Sequence, residues 1–310
     1  MKILKTLYTA TLCAAMAVST SSCLNSWLDQ SPADGIDAET AIKNSDDLAN
    51  VRTGLYAAVK GNSSLINYYG RLMFVYGDMR YEYNGGSGRA NFYYYMEYTT
   101  ADNFTTSTAV WQMPYVVIAR ANRLIQAAES GNLTDAAEAK ATIDQYDAEA
   151  KVLRAMALFD LTRIYGKPYT VDQGSSLGVP IATSPLESTE KPSRSTVAQC
   201  YEAIEKDLTD AINSNALPKT NEVGYVNLWA AKALQVRVYM TKGEWSKALS
   251  VAEDIISNSS YKLWEPSEYV AAWSKSDANH SKEIMFEISI NNNTDWTDRE
   301  GIAYLYADKA

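Results

Sequence analysis

Residues 225–257 read YVNLWAAKALQVRVYMTKGEWSKALSVAEDIIS, and this stretch decides the fold. It consists of two segments with helical periodicity, separated by the turn Lys242-Gly243-Glu244-Trp245. Small side chains at Ala248 and Ala252 allow two antiparallel helices to approach closely. Trp245 is expected to fill the wedge between the two helices at their turn. The stretch therefore predicts a helix-turn-helix unit.

The length and spacing of this unit match the tetratricopeptide repeat, which has a period of about 34 residues. Such a unit buries its apolar face only by stacking on neighbouring units. Earlier helix pairs, 48–59 with 110–129 and 147–165 with 196–213, match the repeat loosely. A generic helical bundle is the alternative. We predict an all-α fold, a tetratricopeptide-like helical superhelix with loop and short-strand excursions.

The same sequence signals place the other helices. Apolar residues recur at helical spacing in each of them, and capping residues or Gly-Pro pairs mark their ends. The helices are expected at 46–59 with Ser45 as N-cap, at 110–129, at 147–165 before Gly166 and Pro168, and at 196–213 with Ser195 or Thr196 as N-cap. Residues 61–106 lose this period and are interpreted as loops with short strands.

The N-terminal 22 residues, MKILKTLYTATLCAAMAVSTSS, have the pattern of a secretory signal peptide. A basic head is followed by an apolar run that is too short to span a membrane, and small residues lead directly to Cys23. This arrangement predicts a bacterial lipoprotein that is lipidated at Cys23, and acyl chains rather than a helix would then hold the mature protein at a membrane. The predicted organisation is a signal at 1–22, a tether at 23–43 and a helical domain at 44–310.

Composition excludes several classes of function. The net charge of −9 argues against a nucleic-acid partner. Of the three cysteines, Cys13 leaves with the signal and Cys23 is consumed by lipid, so that only Cys200 remains and no intramolecular disulfide can form. The single histidine, His280, is interpreted as a solvated loop residue, and a histidine-rich zinc site is excluded. We predict neither a metal nor a cofactor.

Several segments resemble the SusD/RagB family of bacterial outer-membrane lipoproteins. The resemblance is carried by EAKVLRAMALFDLTRIYGKP at 149–168, by Gly178-Val179-Pro180-Ile181, by the segment from Arg194 to Ala211, by Ala230 to Trp245, by the helix from Trp111 to Ile125 and by Glu283 to Phe286, taken as a strand after the repeats. The similarity covers nearly everything from Cys23 to about residue 290. Members are usually considerably longer, which implies that much of a C-terminal half is missing here.

The resemblance implies a non-enzymatic role at the outer membrane, with the protein facing outward. The protein would capture a glycan or oligosaccharide and pass it to a SusC-like TonB-dependent porin. A binder of peptides, and an interaction scaffold without its own ligand site, are the alternatives.

Two polar and aromatic blocks supply the predicted glycan contacts. Sugar rings lie on aromatic faces, and their hydroxyls pair with amide, carboxylate and guanidinium groups. The predicted ligand-binding residues are Asp78, Arg80, Tyr81, Tyr83 and Asn84 in the first block, and Asn293 and Trp296 in the second. The nearby Tyr93 to Tyr95 could equally form a strand that packs on helices, and Trp273 is expected in the core.

Two other chemistries are alternatives for these blocks. Asn291, Asn293 and Asp295 have the alternate spacing of a calcium loop, but Trp296 stands where the turn needs glycine. Asp78 and Glu82 could be nominated as the carboxylate pair of a glycosidase. Because 37 acidic residues make such pairs common by chance, we do not predict an enzyme.

Overall fold

The computed structural model describes residues 41–60, 107–187, 189–220, 222–274 and 280–288, with side chains from residue 111 onward in the second range. The chain divides into two units, Met1–Lys43 and Asn44–Ala310, and every helix below belongs to the second. The helices are α1 Ser45–Lys60, α2 Ser107–Glu129, α3 Lys140–Tyr165, α4 Tyr169–Asp172, α5 Val197–Asn213, α6 Leu228–Lys242, α7 Trp245–Asn258 and α8 Pro266–Trp273. Among the described residues, none of the helices combines the length and the apolar character needed to span a membrane.

Long helices pack against the next long helix along the chain. Helix α1 contacts α2 and α3, α2 contacts α3, α3 contacts α5, α5 contacts α6, and α6 contacts α7. This serial packing is how stacked helix pairs build a superhelix. The described residues contain no β-strand, which agrees with the all-α prediction, and the short strands predicted within 61–106 lie outside them.

Helix α3 carries the centre of the core. The predicted stripe consists of Ala150, Leu153, Ala157, Leu161 and Ile164. Its first four residues are completely buried, together with Phe159, and Ile164 is partly buried. Each large apolar side chain removed from water contributes about 1.5–3 kcal/mol to stability. The helix begins at Lys140, about two turns before the predicted start at Asp147.

The predicted helix-turn-helix unit is present as α6 and α7. Gly243 has a φ of 77°, a left-handed conformation that favours glycine, and its N–H donates to the carbonyl of Met240 at 3.1 Å. Ala248 is buried, as predicted for close helix contact. Trp245 is not the wedge residue that the sequence suggested, since 65% of its surface is exposed. It is the first residue of α7, where most of its side chain is in contact with solvent.

Helix starts depend on side chains that satisfy free backbone N–H groups. At α5, Thr196 accepts from the N–H of Gln199 at 3.1 Å, while Gln199 accepts from the N–H of Thr196 at 2.9 Å, so one of the two predicted caps is confirmed. At α1 the predicted cap Ser45 is wrong. Asn44 caps the helix instead by accepting from Asp47 at 2.9 Å, and Ser45 is bound to Asp135.

A buried ion pair joins α3 to α5. The Arg154 guanidinium donates twice to the Asp207 carboxylate, through Nε and Nη2, both at 2.7 Å. Its Nη1 donates to Oδ1 of Asn122 on α2 at 2.7 Å and to the carbonyl of Thr183 at 3.1 Å. Asn122 in turn donates to the carbonyls of Ala182 and Ser184. The network therefore ties three helices to the irregular connection between α4 and α5.

A second buried network joins α1 to α3. The Glu149 carboxylate, 1% exposed, accepts from Arg52 Nε at 2.6 Å, Arg52 Nη2 at 2.9 Å, the Tyr56 hydroxyl at 2.9 Å and Gln145 at 2.8 Å. The Arg52 guanidinium lies 3.8 Å from the ring centre of Tyr225, in the chain just before α6. Burial, followed by the nearby Glu149 charge, raises the pKa of Tyr56 well above its ordinary value of 10.0.

The connection between α4 and α5 is held by backbone contacts. The N–H of Gly178 donates to the carbonyl of Ser195 at 2.7 Å. The N–H of Ser195 donates to the carbonyl of Val179 at 3.1 Å. A Cβ at Gly178 would lie 2.8 Å from the buried Cys200 sulfur, so only glycine fits here. The Gly-Val-Pro turn is thus a close-packing site.

The segment from Glu283 to Phe286 is not the strand that the sequence suggested. The N–H groups of Glu283 and Ile284 both donate to the carbonyl of His280, at 3.2 and 2.9 Å, which closes a turn. One backbone bond, from the N–H of Lys262 to the carbonyl of Lys282 at 2.8 Å, links this segment to the chain after α7. The apolar residues of this segment are only partly buried.

Candidate functional site

The residues predicted from sequence to act lie outside the described residues. This holds for the lipidation residue and for both glycan blocks. They are Cys23, Asp78, Arg80, Tyr81, Tyr83, Asn84, Asn293 and Trp296, and the asparagines of the calcium alternative lie outside as well. Their roles stay predictions. The site described below was not predicted.

Four rings form an aromatic cluster around α8, which we define as Trp264, Tyr269, Trp273 and His280. The Trp264 ring centre lies 6.0 Å from that of Tyr269, 5.7 Å from that of Trp273 and 6.1 Å from that of His280, all edge to face. Trp273 and His280 lie 4.7 Å apart with their planes tilted by 33°. Such contacts add about 0.5–1.5 kcal/mol per pair and fix the orientation of each ring.

Two members of the aromatic cluster face solvent. Trp273 is 52% exposed and Tyr269 is 54% exposed, so the prediction that Trp273 belongs to the core is wrong. The reason is that α8 contributes no buried residue and lies at the surface, where one face of the tryptophan packs on His280. The exposed part of each ring is available to a ligand.

His280 is not the solvated loop residue that the sequence suggested. Its Nδ1 lies 2.7 Å from Oε2 of Glu287, and its Nε2 lies 2.9 Å from the carbonyl oxygen of Ala272 near the end of α8. The hydrogen bond to Glu287 raises the pKa of His280 above its ordinary value of 6.5. The imidazole therefore bridges α8 and the 280–288 segment.

Charged side chains surround the rings. The Glu283 carboxylate accepts from the N–H of Trp264 at 2.6 Å, which fixes the backbone of that tryptophan. Glu268 pairs with Lys282, and this ion pair lowers the pKa of the Glu268 carboxyl. Glu265 and Glu268 also form a reciprocal cap at the start of α8. Three carboxylates and one ammonium group thus lie on the same segments of chain as the exposed rings.

Asn227 attaches this region to the repeat unit. Its Oδ1 caps α6 by accepting from the N–H groups of Trp229 and Ala230, both at 3.0 Å. Its Nδ2 donates to the hydroxyl of Tyr261 at 3.0 Å and to the carbonyl of Met285 at 2.9 Å. All four hydrogen-bonding positions of one buried amide are used, so the two segments that flank α8 are fixed to the start of α6.

This arrangement suits an uncharged polyhydroxylated ligand. The C–H faces of a sugar ring pack on a tryptophan or tyrosine ring, and its hydroxyls donate to carboxylates and accept from lysine. Among the described residues, no group of three or more histidine, cysteine or acidic side chains could hold a metal ion.

The sequence contains a signal for α8 that is not among the predictions above. Glu265-Pro266 followed by Glu268 is a helix start, with proline in the first turn and a glutamate three residues after the cap. Recognising α8 would have placed Tyr269 and Trp273 four residues apart on one helix face. Only packing could show that this face is exposed.

Comparisons with known proteins identify the family. Residues 26–240 match a SusD-like family described as starch-binding and associating with the outer membrane. The chain is 27% identical over 271 residues to a SusD-like protein of Bacteroides ovatus, a match that covers 81% of this chain and 44% of that protein.

Solved structures agree with this match. A SusD superfamily protein of Bacteroides thetaiotaomicron is 37% identical with a TM-score of 0.69, over 80% of this chain and 53% of the other. One of Bacteroides vulgatus is 30% identical with a TM-score of 0.69, over 82% of this chain and 56% of the other. The predicted tetratricopeptide-like helical fold is confirmed, and the chain spans about half the length of these relatives. By sequence and by structure, the chain belongs to the SusD-like family.

Proposed function

We propose that this protein binds a neutral glycan at the outer membrane for nutrient uptake and catalyses no reaction. The observation that carries the proposal is the pair of half-exposed rings, Tyr269 and Trp273, on one helix beside carboxylates. The starch-binding description of the family supports a neutral ligand. The net charge of −9 supports it too, because it disfavours polyanionic glycans.

The finer parts of the proposal concern the anchor and the partner. Acyl chains on Cys23 would hold the protein at the outer membrane, facing outward, and a SusC-like TonB-dependent porin would receive the glycan. The support is the signal-like N-terminus and the outer-membrane association of the family. The predicted contacts Asp78, Arg80, Tyr81, Tyr83, Asn84, Asn293 and Trp296 belong to the same proposal.

Replacing Trp273 tests the glycan site. Trp273→Ala is expected to weaken binding of maltoheptaose about tenfold, because a sugar ring loses its stacking surface. Isothermal titration calorimetry of the purified protein measures the change. The matched control is Trp245→Ala, which removes an equally large exposed ring that lies on α7 and outside the aromatic cluster. Equal affinities of the wild type and Trp273→Ala would reject this site, and Tyr81→Ala and Trp296→Ala would then be the next variants.

Replacing Cys23 tests the anchor. Cys23→Ala is expected to remove nearly all of the protein from the membrane fraction and to abolish incorporation of radiolabelled palmitate, since no thiol remains for acylation. Cell fractionation of the expressing bacterium, with immunoblotting, measures the change. The control is Cys13→Ala, which lies within the predicted signal and should be lipidated normally. Labelled, membrane-bound Cys23→Ala protein would contradict the proposal.

The alternative function, a protein-interaction scaffold, is favoured by a different surface. Trp245, Leu249 and Ile256 are 65%, 60% and 72% exposed and lie along α7 at helical spacing. An apolar stripe of this kind is typical of protein contact. If Trp245→Ala disrupts co-purification with the porin while no glycan binds, the scaffold is the better description. The two tryptophan variants therefore separate the two functions.

A further inference from the structure

Both ring nitrogens of His280 face hydrogen-bond acceptors. Oε2 of Glu287 lies 2.7 Å from Nδ1, and the carbonyl oxygen of Ala272 lies 2.9 Å from Nε2. A neutral imidazole carries one N–H and one lone pair, so it could satisfy only one of these oxygens. The doubly protonated imidazolium donates to both. The geometry therefore selects the charged form of His280.

The same ring supports Trp273. The imidazole and indole planes are tilted by only 33° with ring centres 4.7 Å apart, so the two faces overlap. A cation placed over an indole face is attracted by the negative charge of the π system. Ala272, whose carbonyl holds Nε2, is the residue immediately before Trp273. The imidazolium thus contacts the end of α8 in two ways, through the backbone carbonyl of Ala272 and through the ring of Trp273.

Other charges near His280 are already paired or bonded elsewhere. Lys282 pairs with Glu268, and the Glu283 carboxylate accepts from the N–H of Trp264. The carboxylate that contacts the imidazole is Glu287. Among the described residues of the segments around the ring, the charged groups are Glu265 and Glu268 on α8, Lys262 before it, and Lys282, Glu283 and Glu287 after it. The acidic excess of this set favours the imidazolium.

We propose that His280 is a positioning residue for the glycan site. As an imidazolium it joins the end of α8 to Glu287 and holds the exposed face of Trp273 in place. When it loses its proton, a lone pair faces an oxygen, α8 is released and glycan binding weakens. The effect on binding rests on the function proposed above, whereas the effect on Trp273 does not.

The direction of the pH dependence follows from the contacts. The Glu287 hydrogen bond raises the pKa of folded His280 above 6.5. The clamp, by which we mean the two hydrogen bonds from the imidazolium to Glu287 and Ala272, is therefore complete below about pH 6.5. It is lost as the pH rises through the higher value of the folded protein. Binding should therefore be tighter at about pH 6 than at about pH 9.

The test uses the single histidine of the chain, in protein without a histidine tag. The C2 proton of the imidazole then reports His280 alone by NMR. Incorporated 5-fluorotryptophan reports Trp273 by ¹⁹F NMR, with Trp273→Phe assigning its resonance. We expect the His280 midpoint to lie above 6.5 and the Trp273 resonance to shift with the same midpoint. Glu287→Gln should move both midpoints down towards 6.5, and Glu253→Gln, an exposed charge on α7, should move neither.

Calorimetry with maltoheptaose at both pH values completes the test. A severalfold weaker affinity at the higher pH supports the proposal, and an unchanged affinity overturns its binding part. A His280 midpoint at or below 6.5, or a Trp273 resonance that ignores the titration, overturns the positioning role. Absence of maltoheptaose binding at any pH would count against the proposed function, while the two resonances would still decide the role of His280.

Discussion

Asp207→Ala is expected to lower the free energy of unfolding by about 3–5 kcal/mol, the effect of removing one partner from a buried ion pair. The Arg154 guanidinium would lose both of its 2.7 Å bonds to the carboxylate and stay buried between α3 and α5. The guanidinium would then lack a counter-ion in the core. Urea unfolding followed by circular dichroism measures the change.

Asp210→Ala is the matched control for this variant. Asp210 lies three residues further along α5, where it is exposed and pairs with Lys206, so its loss should change the unfolding free energy by less than about 1 kcal/mol. Asp207→Asn should fall between the two, because the amide keeps one oxygen for Arg154. Similar destabilisation by Asp207→Ala and Asp210→Ala would show that the buried pair has no special role.

Glu149→Gln is expected to lower the free energy of unfolding by about 3 kcal/mol, although the side chain keeps its shape. Four donors on Arg52, Tyr56 and Gln145 converge on the carboxylate. An amide turns one acceptor into a donor that points at other donors, and it leaves the Arg52 charge without compensation. The temperature at the midpoint of thermal unfolding, measured by calorimetry, should also be lower in Glu149→Gln than in the wild type.

Asp144→Asn provides the control on the same helix. Asp144 is exposed and pairs with Lys140, so the same chemical change should have an effect below about 1 kcal/mol. If Glu149→Gln is as mild as this control, then the Arg52 guanidinium is held by its aromatic neighbours instead.

These two networks support the fold, whereas the aromatic cluster is the proposed binding site. The Glu149 network brings Tyr225 and Val226 to α1, directly before the α6 cap at Asn227. Asn227 then holds the segments that flank α8. Glu149→Gln should therefore also weaken glycan binding, whereas Trp273→Ala should weaken glycan binding without a comparable loss of stability.

Local patterns were sufficient for most helices. The Gly243 turn, the Thr196 cap and the apolar stripe of α3 each depend on residues within one or two turns of one another, so that sequence spacing determines them. The N-cap of α1 was misplaced by one residue because Asn44 and Ser45 are both capping residues. The partner that occupies Ser45 is Asp135, which is distant in the chain.

Polar residues inside the core could not be recognised in this way. Glu149 and Arg154 lie on α3 among the residues that a periodic pattern assigns to the core and its border. Whether each one is solvated or buried depends on a partner from another helix, Arg52 in one case and Asp207 in the other. Spacing within one helix carries no information about such partners.

The exposure of two tryptophans could not be predicted from the sequence either. Trp245 and Trp273 are large and apolar, so the sequence places them inside, yet both are more than half exposed. Each lies at the end of a helix whose outward face has no partner among the described residues. Burial is a property of the neighbours that a residue meets, and these neighbours come from other parts of the chain.

The sequence by itself therefore determined the repeat class and the family, because helix periods, caps and turn residues are local. Tertiary structure alone decided which charges are buried, which aromatic rings are exposed and how His280 is held between Ala272 and Glu287. The physical reason is the distance along the chain between the residues that interact. A helical turn is built by residues three or four apart, whereas burial and ion pairing are set by side chains that only folding brings together.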